Sequence, residues 1–389
     1  MRNAFACLVC IAAWLASGPV RAGEEAGGTA AAAQPQTRSQ AEADIERLLL
    51  LQDAAAQGSI AAVDEQKRLL RSVDKALGAA SGHAASPPAT TVAAYVLSGG
   101  GPQVAERLAK AQDISARDRR LLKAVAAFMR GNRPAAAGLM AKLDPLQLPA
   151  RIAGRMALAQ ALLAQEDARQ EHYAVALSAM PGTAIEESAL RRSALAYADA
   201  QNEAAFWRRL ERYARRFPAS VYRESFWADV TAKIVTWTAK GPGPDLKTLD
   251  RVLVMLPAGE RRRIYVALAR QSAAMAIAPL TAFAAARIER LSEGGSAEDQ
   301  LASFYLNLFK IVSPEGDEAL RKLRSIRPDL LGPQERALLQ AALAVGGQID
   351  RPGTPAGSSI AADKTEPDAR EQRGSSLLAA TSKLIGELD

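Results

Sequence analysis

From Ser39 onward the apolar positions of this chain recur at three- and four-residue spacings, and nowhere do they alternate with polar ones over the length of a strand. Ile45, Leu48, Leu49 and Gln52 start a helical stripe that Gly58 closes. Ser59 then precedes a second stripe of Val63, Leu69, Leu70, Val73 and Leu77. Residues 92–97, 104–108 and 117–129 continue the pattern. Further on, 259–278, 280–291, 297–312, 314–326 and 333–345 read as helices. Ser313 suits the cap of the fourth of these, with Pro314 at its first helical position.

The middle of the chain repeats. Pro145, Pro181 and Pro218 recur at intervals of about 36 residues, the period of a two-helix unit. The first interval holds helical stretches 152–164 and 168–180 about a break at Glu166-Asp167. The second holds 185–197 and 204–217 about Gln201-Asn202. A helical hairpin buries its apolar stripe only against a neighbour, so such units must stack. The expected fold is all-α: a helical-hairpin, TPR-like α-solenoid over residues 39–345, with disordered N- and C-terminal tails.

The ends differ in texture. Residues 1–22 have a basic start (Arg2), an apolar run from Ala4 to Ala16 and the small-residue site Val20-Arg21-Ala22. This is the pattern of a secretory signal, too short to span a bilayer. Both cysteines, Cys7 and Cys10, lie inside it, so the expected exported chain, 23–389, has no thiol and no disulfide. Residues 23–38 read as a flexible lead, and 346–374, loaded with Gly, Pro, Ser and charge, as a disordered linker. Leu377, Leu378, Leu384 and Leu388 space one short terminal helix over 375–389. The apolar run 273–286 is interrupted by Pro279, so no membrane insertion is expected after the signal. The expected compartment is the periplasm.

Charge and chemistry add exclusions. The formal net charge is +7, and two of the arginines, Arg2 and Arg21, fall in the signal. The remaining excess is spread along the chain, which argues against a nucleic-acid binder and is compatible with an anionic partner or wall polymer. His83 and His172 are the only histidines, and neither has a second histidine or a carboxylate cluster at metal-ligand spacing. No metal or cofactor is expected. Ser98-Gly99-Gly100-Gly101-Pro102 is a turn, not a phosphate cradle. Glu224-Ser225, and more weakly Glu187-Ser188, resemble the catalytic Glu-Ser of lytic transglycosylases. The Gly-Leu-Met that should follow lies upstream, at Gly138-Leu139-Met140, and lacks its glutamine. No catalytic residue is therefore assigned.

Two segments invite a closer reading. Thr183 is placed to cap a helix with Glu186 reaching back to it, and Glu187 stands four residues before Arg191 in the order that favours a solvated ion pair. In the next helix Phe206, Leu210, Tyr213 and Phe217 form one apolar stripe. Arg208, Arg212, Arg215 and Arg216 fall on the far side, with Arg209 at the edge. Arginine suits carboxylates on a partner, so Arg208, Arg212, Arg215 and Arg216 are the candidate partner-binding residues. Arg261, Arg262 and Arg263 form a second basic run.

Several stretches resemble the MotC family of periplasmic motility proteins. They are 45–53 with 66–70, then 94–100, then 181–193 (Pro-Gly-Thr-Ala-Ile-Glu-Glu-Ser-Ala-Leu-Arg-Arg-Ser), then 213–222 (Tyr-Ala-Arg-Arg-Phe-Pro-Ala-Ser-Val-Tyr). The resemblance implies a non-enzymatic role in flagellar rotation, in association with the periplasmic part of the stator protein MotB. It also implies proximity to the peptidoglycan to which the stator is anchored. The alternatives are a general exported helical scaffold for envelope assembly or secretion, and a wall-cleaving enzyme of the transglycosylase type.

Overall fold

A computed structural model describes residues 39–79 and 87–349. The signal, the flexible lead, His83, the linker beyond 349 and the terminal helix lie outside the described residues. Among those described there are seventeen α-helices, three short 3-10 turns and no strand. The fold class read from the periodicity holds. The chain divides into two compact units: residues 1–196 with 204–224, and 197–203 with 225–389.

The first unit opens with α1 (Gln40–Ala56) and α2 (Ile60–Ala79). Ser39 caps α1 by accepting from the Glu42 amide. The helix ends in a Schellman turn: the Gly58 amide donates to Ala55 O and the Ser59 amide to Ala54 O, with Gly58 at φ +105°. Next come α3 (Ala89–Leu97), α4 (Pro102–Leu108), α5 (Ala116–Met129) and α6 (Arg133–Met140). The chain continues into α7 (Ala150–Leu163) and α8 (Glu166–Ala179), followed by α9 (Ala184–Asp199) and α10 (Glu203–Arg216).

The core of this unit is built around α3, which is buried on all sides from Thr91 to Leu97. Ile45 and Leu48 of α1, Val73 and Leu77 of α2, Leu121 and Val125 of α5, and Ile152 and Met156 of α7 belong to the same cluster. Several buried polar donors of this unit are met by acceptors on neighbouring elements. Tyr95 donates to Asp74 Oδ1 at 2.6 Å, and the Gly101 amide donates to the same oxygen. Gln160 donates to Met140 O and Leu143 O, closing the free carbonyl end of α6.

The two hairpins expected from the proline spacing are present as α7–α8 and α9–α10. One boundary differs from the expectation. Glu166-Asp167 are the first residues of α8 rather than the break, which falls at Ala164-Gln165. Acidic side chains are favoured at a helix start by the macrodipole, so a polar pair can begin a helix as readily as interrupt one.

The second unit comprises α11 (Arg223–Lys240), entered from the first unit, and α12 (Leu246–Leu253), α13 (Ala258–Ala274) and α14 (Ala278–Leu291). It is completed by α15 (Ala297–Leu308), α16 (Gly316–Arg324) and α17 (Pro333–Ile349). Its helices are tied by the same chemistry as Tyr95. Tyr265 of α13 donates to Asp250 of α12 at 2.5 Å, and Arg287 of α14 pairs with that carboxylate. Tyr305 of α15 and Arg270 of α13 both donate to Glu335 of α17, at 3.1 and 2.7 Å. A buried phenol needs an acceptor, and a carboxylate on the facing helix supplies it while fixing the pair.

Two more expectations shift here. The helix read over 314–326 begins only at Gly316, because Ser313 accepts from the Glu315 amide in a turn instead of capping. The last helix runs on to Ile349.

Candidate partner-binding site

The site lies in the first unit, at the N-terminal end of α9, where Pro181-Gly182-Thr183 turns the chain out of α8. Gly182 sits at φ +80°, a conformation open to glycine. The capping arrangement differs from the one read from sequence. The Thr183 hydroxyl donates to Met180 O, and the Glu186 carboxylate reaches past Thr183 to accept from the Gly182 amide at 2.6 Å. Glu186 is wholly buried. Its Oε1 accepts from Arg212 Nε at 2.8 Å and from a second N–H of the same guanidinium, and its Oε2 pairs with Arg216 at 2.9 Å.

Glu187 is wholly buried too. Its Oε1 accepts from Arg191 Nε at 2.8 Å, Ser220 Oγ at 2.9 Å and the Tyr213 hydroxyl at 3.2 Å. Burial, reinforced by the Glu187 charge, holds the Tyr213 phenol well above its ordinary value. The Arg191 guanidinium stacks over the Tyr222 ring, 5.0 Å from its centroid. The Glu187–Arg191 pair is thus part of the interior, which corrects the expectation of a solvated surface pair. The stripe rule places the two residues four apart but does not say which face is covered. Here Tyr213 of α10 and Ser220 in the turn after it cover that face.

A third carboxyl comes from α1. Asp53 Oδ1 accepts from the Ala184 amide at 3.4 Å, supplying α9 with a capping oxygen from 131 residues earlier in the chain. Arg155 of α7 is buried nearby, donating to Ser98 Oγ at 3.2 Å and to Arg151 O at 2.9 Å. Burial is the larger influence on both groups. It pushes Asp53 up to about 9 against the pull of Arg155, and Arg155 down to about 10 against the pull of Asp53. Around them the end of α1 is stitched to the two turns. Val221 N donates to Ala55 O at 3.1 Å, and Gln57 donates to Gly182 O at 3.4 Å. A Cβ on Gly58 would stand 2.7 Å from Ala219 O. Gln52 donates to Ser98 O at 3.0 Å.

The structure divides the four candidate arginines. Phe206, Leu210, Tyr213 and Phe217 are buried, as expected for the apolar stripe. On the other side, Arg212 and Arg216 turn back to Glu186 but leave 38% and 42% of their side chains exposed. Arg215 is exposed and pairs with Glu211 one turn earlier. Arg208 is exposed and makes no ion pair among the described residues.

The residues considered for chemistry stand apart from this cluster or are bound within it. His172 is half-buried on α8, and burial lowers its pKa. Glu224 is exposed in the first turn of α11, outside the sheltered surroundings that a carboxylic acid catalyst needs. Glu187 is engaged by three donors. No group of three or more potential metal ligands occurs among the described residues.

The stretches that meet here, 45–53, 94–100, 181–193 and 213–222, are four of the five that carry the family resemblance, the fifth being 66–70. The family model described as Chemotaxis protein MotC matches residues 2–384. The chain belongs to the MotC family. One relative is the Chemotaxis protein MotC of Rhizobium meliloti (strain 1021), 32% identical over 326 residues, covering 82% of this chain and 73% of the relative. In this MotC family member, Asp53, Arg155 and Ser220 were not singled out by their positions in the sequence. The signal available for Asp53 and Ser220 was their place inside the matching stretches. Arg155 sits in an unremarkable helical run, and only the fold brings it to the cluster.

Proposed function

We propose that this MotC family member is an exported motility protein of the periplasm. It binds and orders the periplasmic part of a MotB-like stator protein beside the peptidoglycan, so that the flagellar motor turns. The observation that carries the proposal is the family match over residues 2–384, in a family described as chemotaxis proteins. Several features support it. Residues 1–22 have the pattern of a secretory signal. No described helix is long and apolar enough to cross a membrane. Packed helical hairpins offer the long helix-lined surfaces on which repeat proteins hold partner segments. The buried carboxylates Glu186 and Glu187 are engaged by Arg212, Arg216 and Arg191, which suits a rigid scaffold for gripping.

Deleting the gene tests this reading. The expected result is cells with assembled but non-rotating flagella, restored to swimming by the full-length gene. Deletion cells that swim normally would overturn it.

A further inference from the structure

We infer that the exposed edge of α10 formed by Arg208, Arg212, Arg215 and Arg216 docks an acidic segment of the stator partner. This rests on the function proposed above and adds to it the surface and its chemistry. Residues 208, 212 and 215–216 recur at helical spacing on one side of α10, a row of about 12 Å at 1.5 Å per residue.

The row is cationic on balance. The carboxylates that touch it are Glu186, which is wholly buried, and Glu211, which pairs with Arg215. Position in the last turn explains a preference for positive charge at Arg215 and Arg216, where the macrodipole favours it, but not at Arg208.

Two of the four guanidiniums are also held in place. Glu186 engages Arg212 through Nε and a second N–H, and Arg216 through one Nη, while each side chain keeps more than a third of its surface open. An ordinary surface arginine loses rotamer freedom when it binds; these two are fixed before the partner arrives, which lowers the cost of association. Each guanidinium keeps N–H donors that Glu186 does not use on a partly exposed side chain, and a planar guanidinium can take a carboxylate through paired N–H bonds. A partner segment with two or more carboxylates about one helical turn apart complements the row. An arginine fork held by an interior acid is also the kind of rigid, partly exposed anchor enriched at the energetic centre of interfaces.

The test measures affinity of the full exported chain for the periplasmic part of the MotB-like protein, at several salt concentrations, with wild type, R208E/R215E and R208Q/R215Q. These two positions are chosen because neither contacts Glu186, and matched circular-dichroism melts check that the variants are folded. The expected result is at least a tenfold loss for R208E/R215E at low salt, a smaller loss for R208Q/R215Q, and a flatter salt dependence for both. Undiminished binding by both folded variants would overturn this surface and leave the proposed function standing. No binding by the wild type would defeat the proposed function and this surface with it. If the variants lose binding to isolated peptidoglycan but keep full affinity for the stator region, the row reads wall polymer, and the protein partner assigned to it is wrong.

Discussion

Asp53 shows how a single residue can take its meaning from a distant part of the chain. At the end of α1 it looks like a polar position on the solvent side of an amphipathic helix, yet its carboxyl accepts from the first amide of α9. Burial pushes its pKa from 3.8 up to about 9. The sign follows from linkage. Between those values the folded chain holds a proton that the unfolded chain has released, so Asp53's contribution is complete below about 3.8 and is lost as pH rises through about 9. Asp53→Asn is neutral throughout and keeps an oxygen for the Ala184 amide. The variant is expected to melt at the same temperature as wild type near pH 4 and above it at pH 8, with a flatter profile between. Parallel melting curves across that range would show that burial imposes no such cost. At Glu187 one carboxylate oxygen, Oε1, gathers Arg191, Tyr213 and Ser220. Removing one member of such a buried set leaves the others uncompensated. Sequence reasoning found Glu186, Glu187 and the arginines but not their burial, because spacing along one helix carries no information about what the next helix covers.

At the scale of elements, most long helices were legible from their apolar stripes, but α11 was not read, although Phe226, Val230, Ile234 and Trp237 recur at helical spacing over its 18 residues. The α1–α2, α7–α8 and α9–α10 hairpins follow from stripes and breakers alone. The misplaced boundaries, Glu166-Asp167 and Ser313-Pro314, are positions where a polar residue suits both a turn and a first helical turn, so local chemistry does not choose between them. The short α6, rich in alanine, shows no clear stripe, whereas α12 was not read although Leu246, Leu249, Val252 and Leu253 stand at helical spacing. Gly58 was legible as the end of α1, but its second role was not: it lets the turn approach Ala219, which is remote in sequence. Gly58→Ala would add both a left-handed strain at φ +105° and a Cβ 2.7 Å from a backbone oxygen. The expected cost is more than about 1 kcal/mol in urea unfolding, since either the turn or its neighbour must move. An unchanged midpoint would mean that α1 is not held against the 219–221 turn.

For the molecule as a whole, the all-α class was fixed by periodicity, and two compact units emerged only in the structure. Four of the five stretches that resemble the MotC family scatter over nearly half the chain in sequence, yet contribute to one cluster at the start of α9. That convergence was invisible beforehand because each stretch by itself reads as an ordinary helix or turn. Glu186, Glu187, Arg191, Arg215 and Arg216 lie inside these stretches, whereas Arg155, Arg208 and Arg212 lie outside them. Under the proposed function the molecule is a preassembled gripping surface for a stator protein. Co-purification of residues 23–389 with the periplasmic part of the MotB-like protein, followed by size-exclusion chromatography, tests it most directly. A stable shared peak that dissociates as salt is raised is the expected result. Separate elution of the two proteins at micromolar concentration and low salt would contradict it.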